Sequence, residues 1–277
     1  MKWDGHTHSQ FCKHGSERHV REYVAKALEL EFTRYTITEH PPVPERWIDD
    51  EVLMRELAMD MSELRPYTDC VRQVKDEFAG QLEVTLGLEM DYLHGHEAFS
   101  EAILSEVHEP LEDLLISVHY LPARGGMRCI DYKPEDFREH LLGYYGTMAK
   151  VVDAYYDHVE LAIRNAAAWK LTARKRLGHI NLIEKFRLVL PSIDAAQIKE
   201  RLVALLPLLQ SSGLGIDVNT AGIRKSTCGI AYVPDWFMEQ CHDRSIPLVY
   251  GSDAHHPRDV GSGWEWFHEQ TKRVQGL

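Results

Sequence analysis

Short β-branched or apolar runs alternate along the chain with longer amphipathic stretches. The short runs are the segment ending at His6–His8, then 33–38, 82–88, 113–118, 176–180, 214–218 and 247–251. Their length and their content of Val, Ile, Leu, Thr and Tyr predict strands. Between them, 18–31 sets Val20, Tyr23, Val24, Ala27 and Leu28 at three- and four-residue spacing, the stripe of an amphipathic helix. Similar patterns cover roughly 46–79, 134–171 and 194–211. Strands and helices in regular alternation predict parallel strands joined by right-handed crossovers. No Pro/Gly/Ser-rich linker, low-complexity segment or internal repeat interrupts them. The expected fold class is therefore α/β, as one closed barrel over 1–277, with a doubly wound open sheet as the alternative.

The strand ends turn this fold reading into a chemical one. His6 and His8 sit at i and i+2, which share one face of a strand, so their imidazoles converge as two cis metal ligands must. Phe11-Cys12-Lys13-His14-Gly15 follows as a loop. The second run closes on Thr38-Glu39-His40-Pro41-Pro42, where the prolines stop the strand and leave His40 at its carboxyl end. The third closes on Gly87-Leu88-Glu89-Met90-Asp91, and a carboxylate there is costly to bury unless paired or bound to a cation. Ser117-Val118-His119-Tyr120 ends the fourth, Gly178-His179-Ile180-Asn181 lies in the fifth, and Gly251-Ser252-Asp253-Ala254-His255 ends the last.

Each motif is weak alone, since a loop histidine or a satisfied core histidine accounts for any one of them. Their joint placement is not weak. All but one of the predicted strands end in His, Asp or Glu, and the carboxyl ends of barrel strands are where such folds build active sites. The candidate metal ligands are His6, His8, His14, His40, Glu89, His119, His179, Asp253 and His255, enough donors for two or three divalent ions.

Composition narrows the partners. A formal net charge of -12 repels polyanions, and no Lys/Arg stripe interleaved with aromatics offsets it, so no nucleic-acid partner is expected. The five cysteines are odd in number, widely spaced and free of C-x-x-C pairs, which argues against a disulfide framework or a thiolate zinc site. They are expected to pack as small apolar residues. No apolar run is long enough to span a membrane, and MKWDGHTH lacks the apolar stretch of a signal peptide, so a cytoplasmic protein is expected.

The order H-x-H, loop His, E-H, G-x-E, S-V-H, G-H and S-D-A-H resembles the PHP (polymerase and histidinol phosphatase) superfamily over the whole chain. The opening D-G-H-T-H-S-x-F-C-x-H-G and the segment D-V-N-T-A-G-I-R-K at 217–225 resemble its stand-alone histidinol-phosphate phosphatases. Asn181 departs from that pattern where other branches often carry Asp. The resemblance implies a distorted (β/α)7 barrel with three divalent metal ions, variously zinc, iron or manganese. It implies His6, His8, Glu89 and Asp253 around the first ion, with Glu89 bridging to a second that His119 and His179 also hold. His14, His40 and His255 fall to the third. It further implies hydrolysis of L-histidinol phosphate to L-histidinol and inorganic phosphate, in histidine biosynthesis. The alternatives are a phosphodiesterase or nuclease of the same superfamily, and a metal-binding regulatory scaffold without turnover.

Charge supports a small phosphorylated substrate. Three divalent ions bring about +6 and two carboxylates about -2, leaving about +4 if the histidines are neutral. A positive hole inside an acidic shell admits a small anion and disfavours a polymer. Water activated by the ions is expected to attack phosphorus in line, with Asp253 or His255 protonating the leaving alkoxide. Arg224 and Lys225 follow the sixth strand, which ends in Asn219-Thr220 without a ligand, and are the leading phosphate contacts. Arg128, in the Gly-rich loop after His119, and Arg164, on a helix, are further candidates. His94 and His96 read as exposed loop residues, and His19, His108, His140, His158, His242 and His268 as helix-surface residues. His256 points away from His255, and Tyr144, Tyr145, Tyr155 and Tyr156 read as helix packing.

Overall fold

The computed structural model describes residues 1–276. Its strands are β1 (Trp3–Asp4), β2 (Arg34–Glu39), β3 (Glu83–Asp91), β4 (Asp113–Ser117), β5 (Tyr120–Ala123), β6 (Gly126–Cys129), β7 (Arg174–Leu177), β8 (Gly215–Asn219) and β9 (Leu248–Gly251). All except β5 and β6 form one sheet in the order β1-β2-β3-β4-β7-β8-β9, and every pairing in it is parallel. The two ends of the sheet meet. Gly5 N donates to Tyr250 O (2.8 Å), Asp253 N to His6 O (2.8 Å) and His8 N to Ala254 O (3.0 Å). The barrel is thus closed, and the open-sheet alternative falls.

Helices wrap the outside, among them Val20–Glu29, Leu64–Glu77, Glu97–Glu106, Met148–Ala168, Ala195–Ser212, Asp235–Asp243 and Trp264–Val274. The stripe on Val20–Glu29 buries Val20, Tyr23, Val24 and Ala27, as its spacing requires. Two long helical expectations divide. The 46–79 stretch becomes Glu51–Met54 and Leu64–Glu77, broken at Asp60, whose N–H is taken by Glu63 Oε2 (2.8 Å). The 134–171 stretch breaks at Gly146 (φ 82°), after which Thr147 Oγ1 caps Met148–Ala168 through Lys150 N. The β5–β6 hairpin, absent from the periodicity reading, turns through Gly125 and Gly126, both at positive φ.

The floor of the barrel is polar. Arg176, 2% exposed, donates from Nε to Asp113 Oδ1 (2.9 Å) and from Nη2 to Gly5 O (2.6 Å). Such a charge is tolerated inside only because it is paired and hydrogen-bonded. The pair sits at the amino ends of the strands, leaving the carboxyl ends free for the site.

Candidate metal centre

Strand register brings the predicted ligands together at one end of the barrel. Glu89, from β3, divides its two oxygens between two histidine sets. Oε2 lies 3.0 Å from His6 Nε2 and 3.4 Å from His8 Nε2. Oε1 lies 2.9 Å from His179 Nε2 and 3.7 Å from His119 Nε2. Asp253 Oδ1 completes the first set, 3.2 Å from His8 Nε2 and 3.7 Å from His6 Nε2. The His119 and His179 Nε2 atoms of the second set are 3.0 Å apart. His14 Nε2 meets His255 Nε2 at 3.1 Å, and the His8 and His255 rings stack at 3.9 Å. His40 stacks on His8 at 4.6 Å, and its Nδ1 is buried without a hydrogen-bond partner.

Nitrogens and carboxylate oxygens crowded this closely are the donor set of borderline divalent ions, and the fit is direct. The donor atoms of His6, His8 and Glu89 lie within 4.8 Å of one another, as do those of Glu89, His119 and His179. A third such group joins His8, His40 and His255 to Cys12, which the sequence assigned to packing. In this centre Cys12 is a potential ligand, a role that its isolation in sequence concealed. His14 stands at the rim, exposed, with its Nδ1 on Glu56 O (2.8 Å).

Behind the imidazoles stands a ring of carboxylates that sequence reasoning missed. Asp217 Oδ2 holds His6 Nδ1 at 2.7 Å, Glu39 Oε1 holds His8 Nδ1 at 3.2 Å, and Asp91 Oδ1 holds His119 Nδ1 at 2.6 Å. Each accepts the Nδ1 proton and turns Nε2 toward the centre, which fixes tautomer and ring orientation. A signal existed: Asp91 lies two residues after Glu89 and Asp217 two residues before Asn219, so each shares the inward face of its strand. β8 therefore supplies support rather than ligands. Asn219 Nδ2 also donates to Asp253 Oδ2 at 3.2 Å.

Two glycines of the motifs make room for this packing. A Cβ on Gly178 would meet Ser117 Oγ at 2.0 Å, and Ser117 donates to Glu89 Oε1 (2.6 Å). A Cβ on Gly251 would meet Asp217 Oδ1 at 2.2 Å and His6 Cβ at 2.7 Å.

The charges are strongly coupled. Burial alone would strip the proton from His8, yet its hydrogen bonds to Asp253 and Glu39 outweigh that and hold its pKa up at about 9. Burial likewise opposes the His119 proton, and Asp91 overcomes it, again to about 9. His40 and His255 go the other way: burial pushes both well below the usual imidazole range, His8 and His14 push further, and the opposing charge of Glu89 on His40 and of Asp253 on His255 fails to compensate. Burial would raise Glu89 and Asp253, but the His6 charge and the other imidazoles keep both carboxyls well below their usual range.

A cavity of about 300 Å³ opens onto the centre, lined in part by His119, His179, Lys185, Arg224, Lys225 and Asp253. Arg224 does not present a free fork to it. Its Nη1 donates to Ser252 O (2.7 Å) and its Nη2 to Asp253 O (2.7 Å), clamping a loop in which Asp253 holds a left-handed φ of 51°. Among the described residues Lys225, which lines the cavity, makes no ion pair. Arg128 lies outside the lining, because the β6 alternation turns Cys129 inward and Arg128 away, 3.8 Å from Asp49. Arg164 is not brought to the site: it lies on the exposed face of Met148–Ala168, paired with Glu160 at 2.7 Å. Lys185 was missed. It enters from the turn after His179 and pairs with Asp131 at 2.8 Å. Of the histidines set aside, His158 proves buried rather than surface, 7% exposed with Nδ1 donating to Ala154 O (2.8 Å). Tyr155 and Tyr156 are buried as expected, and Tyr156 Oη donates to Asn181 Oδ1 (2.7 Å), which gives Asn181 a packing role.

Known proteins share this architecture. Residues 4–221 match the PHP domain and residues 238–277 the PHP-associated region. β9, Asp253 and His255 fall within the second match, so the two regions meet in one sheet and one site. The chain is 35% identical over 270 residues to the histidinol-phosphatase of Bacillus subtilis, covering 98% of this chain and 99% of that one. A crystal structure from Listeria monocytogenes, assigned as a histidinol phosphatase, superposes with a TM-score of 0.90 at 33% identity, covering 96% of this chain and 100% of the other. The histidinol phosphate phosphatase of Lactococcus lactis, complexed with zinc, L-histidinol and phosphate, shares the fold at a TM-score of 0.71 and 17% identity, over 99% of this chain and 92% of its own. Among the described residues no helix is long and apolar enough to cross a membrane. From the matched domain and the full-length likeness, the chain belongs to the PHP domain family, in its histidinol-phosphatase branch.

Proposed function

We propose that this protein hydrolyses L-histidinol phosphate to L-histidinol and inorganic phosphate, as a step of histidine biosynthesis. The observation that carries the reaction class is Glu89 shared between two histidine sets at the floor of a small cavity. The substrate's name is supported by the 35% identity to the Bacillus subtilis histidinol-phosphatase along almost its whole length. Three ions fit the reading: one at His6, His8, Glu89 and Asp253, one at Glu89, His119 and His179, and one at His40 and His255 with His14 or Cys12. Zinc, iron and manganese all suit these donors. Bound there, such ions supply Lewis acidity toward the phosphoryl oxygens and a nucleophile at neutral pH.

The chain's own residues do the rest. Lys225, without an ion-pair partner among the described residues, and Lys185 give the phosphate its cationic wall, while Arg224 keeps Asp253 in place. Protonation of the leaving alkoxide falls to the Asp253–His255 pair, whose Oδ1 and Nδ1 are 3.3 Å apart. The cavity's small size favours a monoester over a polymer. A kcat/KM panel of phosphomonoesters, run with and without chelator on the reconstituted protein, tests the reading. Histidinol phosphate is expected to lead, and activity to vanish with the metal. A mononucleotide ahead by more than tenfold would overturn the named substrate, and no turnover of any ester after reconstitution would overturn the enzyme.

A further inference from the structure

Every charged side chain lining the cavity is already engaged, with two exceptions. Glu89 and Asp253 belong to the metal centre. Asp131 is neutralised by Lys185 at 2.8 Å and also accepts from Cys129 Sγ at 3.1 Å. Arg224 is spent on two backbone carbonyls. What remains is one ammonium, Lys225, and one carboxylate, Glu56. Among the described residues Glu56 makes no ion pair and no side-chain hydrogen bond. Lys133 feels its charge from outside, but is itself held over the Tyr132 ring, 4.3 Å from the centroid.

The two unspent charges come from different walls. Lys225 follows β8, beside Asp253. Glu56 follows the short helix Glu51–Met54, and its backbone carbonyl receives His14 Nδ1, so it sits one imidazole away from His255. Around Glu56 the lining turns apolar: Leu53 and Leu57 pack with Tyr120 and Cys129, and Tyr132 borders them. A cavity lined by an unpaired cation and by an unpaired carboxylate that borders an apolar wall one imidazole from the metal centre is complementary to a zwitterion. Its ligand has a phosphate at one end, and an ammonium with a flat ring at the other.

We infer that Glu56 is the specificity-determining residue that receives the substrate's ammonium, with Leu53, Leu57 and Tyr132 seating the ring beyond it. This rests on the phosphatase reading and deepens it. In L-histidinol phosphate the ammonium is only a few bonds from the ester oxygen, so a carboxylate one histidine removed from the metal centre is suitably near. An exposed or half-exposed pair is worth little in water, but the partial enclosure here gives discrimination of about tenfold.

The test compares L-histidinol phosphate with its desamino analogue, in the metal-loaded full chain and in Glu56→Gln and Glu56→Asp. The parent is expected to prefer histidinol phosphate by about tenfold in kcat/KM, mostly through KM. Glu56→Gln should bring that ratio close to one at unchanged metal content, and Glu56→Asp should restore part of it. Equal losses on both esters, or a preference that survives Glu56→Gln, overturn the assignment while the histidinol-phosphatase reading stands. A parent that hydrolyses p-nitrophenyl phosphate faster than either ester overturns that reading, and the role of Glu56 with it.

Discussion

Arg224 separates two ways of using a guanidinium at a phosphate site. Placed after β8, it reads from sequence as a bidentate phosphate clamp; in the structure its two Nη atoms hold the carbonyls of Ser252 and Asp253, each at 2.7 Å. Removing it in Arg224→Ala takes away two charge-assisted hydrogen bonds, worth ~1.5–3 kcal/mol each. It also removes the restraint on the left-handed backbone of Asp253 (φ 51°), a conformation that costs ~1–2 kcal/mol in a residue with a side chain. The side chain is 20% exposed, so water recovers part of the loss. A net penalty of about 2–4 kcal/mol follows, which falls on the ligand loop and weakens metal binding by about thirtyfold to a thousandfold. Competition with a chromophoric chelator, on the full chain, measures it. Arg224→Lys, with one point donor in place of a fork, should recover only a fraction. The reasoning is refuted if Arg224→Ala binds metal as tightly as the parent and instead raises only KM for the phosphomonoester, since the guanidinium would then be a substrate fork.

The carboxylates behind the histidines predict a second effect. Asp217→Asn removes the charge that orients His6 through Nδ1 (2.7 Å) and should weaken metal binding by about 10- to 100-fold; an unchanged chelator competition would assign Asp217 to packing alone. A third concerns pH. His8 and His119 hold their protons up to about 9 without metal, whereas a ligating imidazole must be neutral. Below that range binding expels protons, so apparent affinity rises with pH from neutrality and levels off once both are neutral. Calorimetry in buffers of different ionisation enthalpy counts those protons, and zero release at neutral pH would contradict the assignment.

The local pattern of the chain determined a good deal. Short β-branched or apolar runs located the strands of the barrel, and prolines or polar residues ended them, which put His40, Glu89, His119, Asp253 and His255 at one rim. These are properties of neighbours in sequence, and strand geometry translates them directly into place. The tertiary structure decided what depends on residues far apart in the chain. Barrel closure requires Gly5–His8 to meet Tyr250–Ala254. Whether Arg224 grips phosphate or backbone depends on where the β9 loop falls, and whether Arg164 reaches the site depends on which face of its helix the barrel covers. Lys185, Cys12 and the supporting carboxylates Glu39, Asp91 and Asp217 gain their roles only from partners on other strands. Residue type and spacing name the donors a strand can offer; only the closed barrel pairs each donor with the group that holds it.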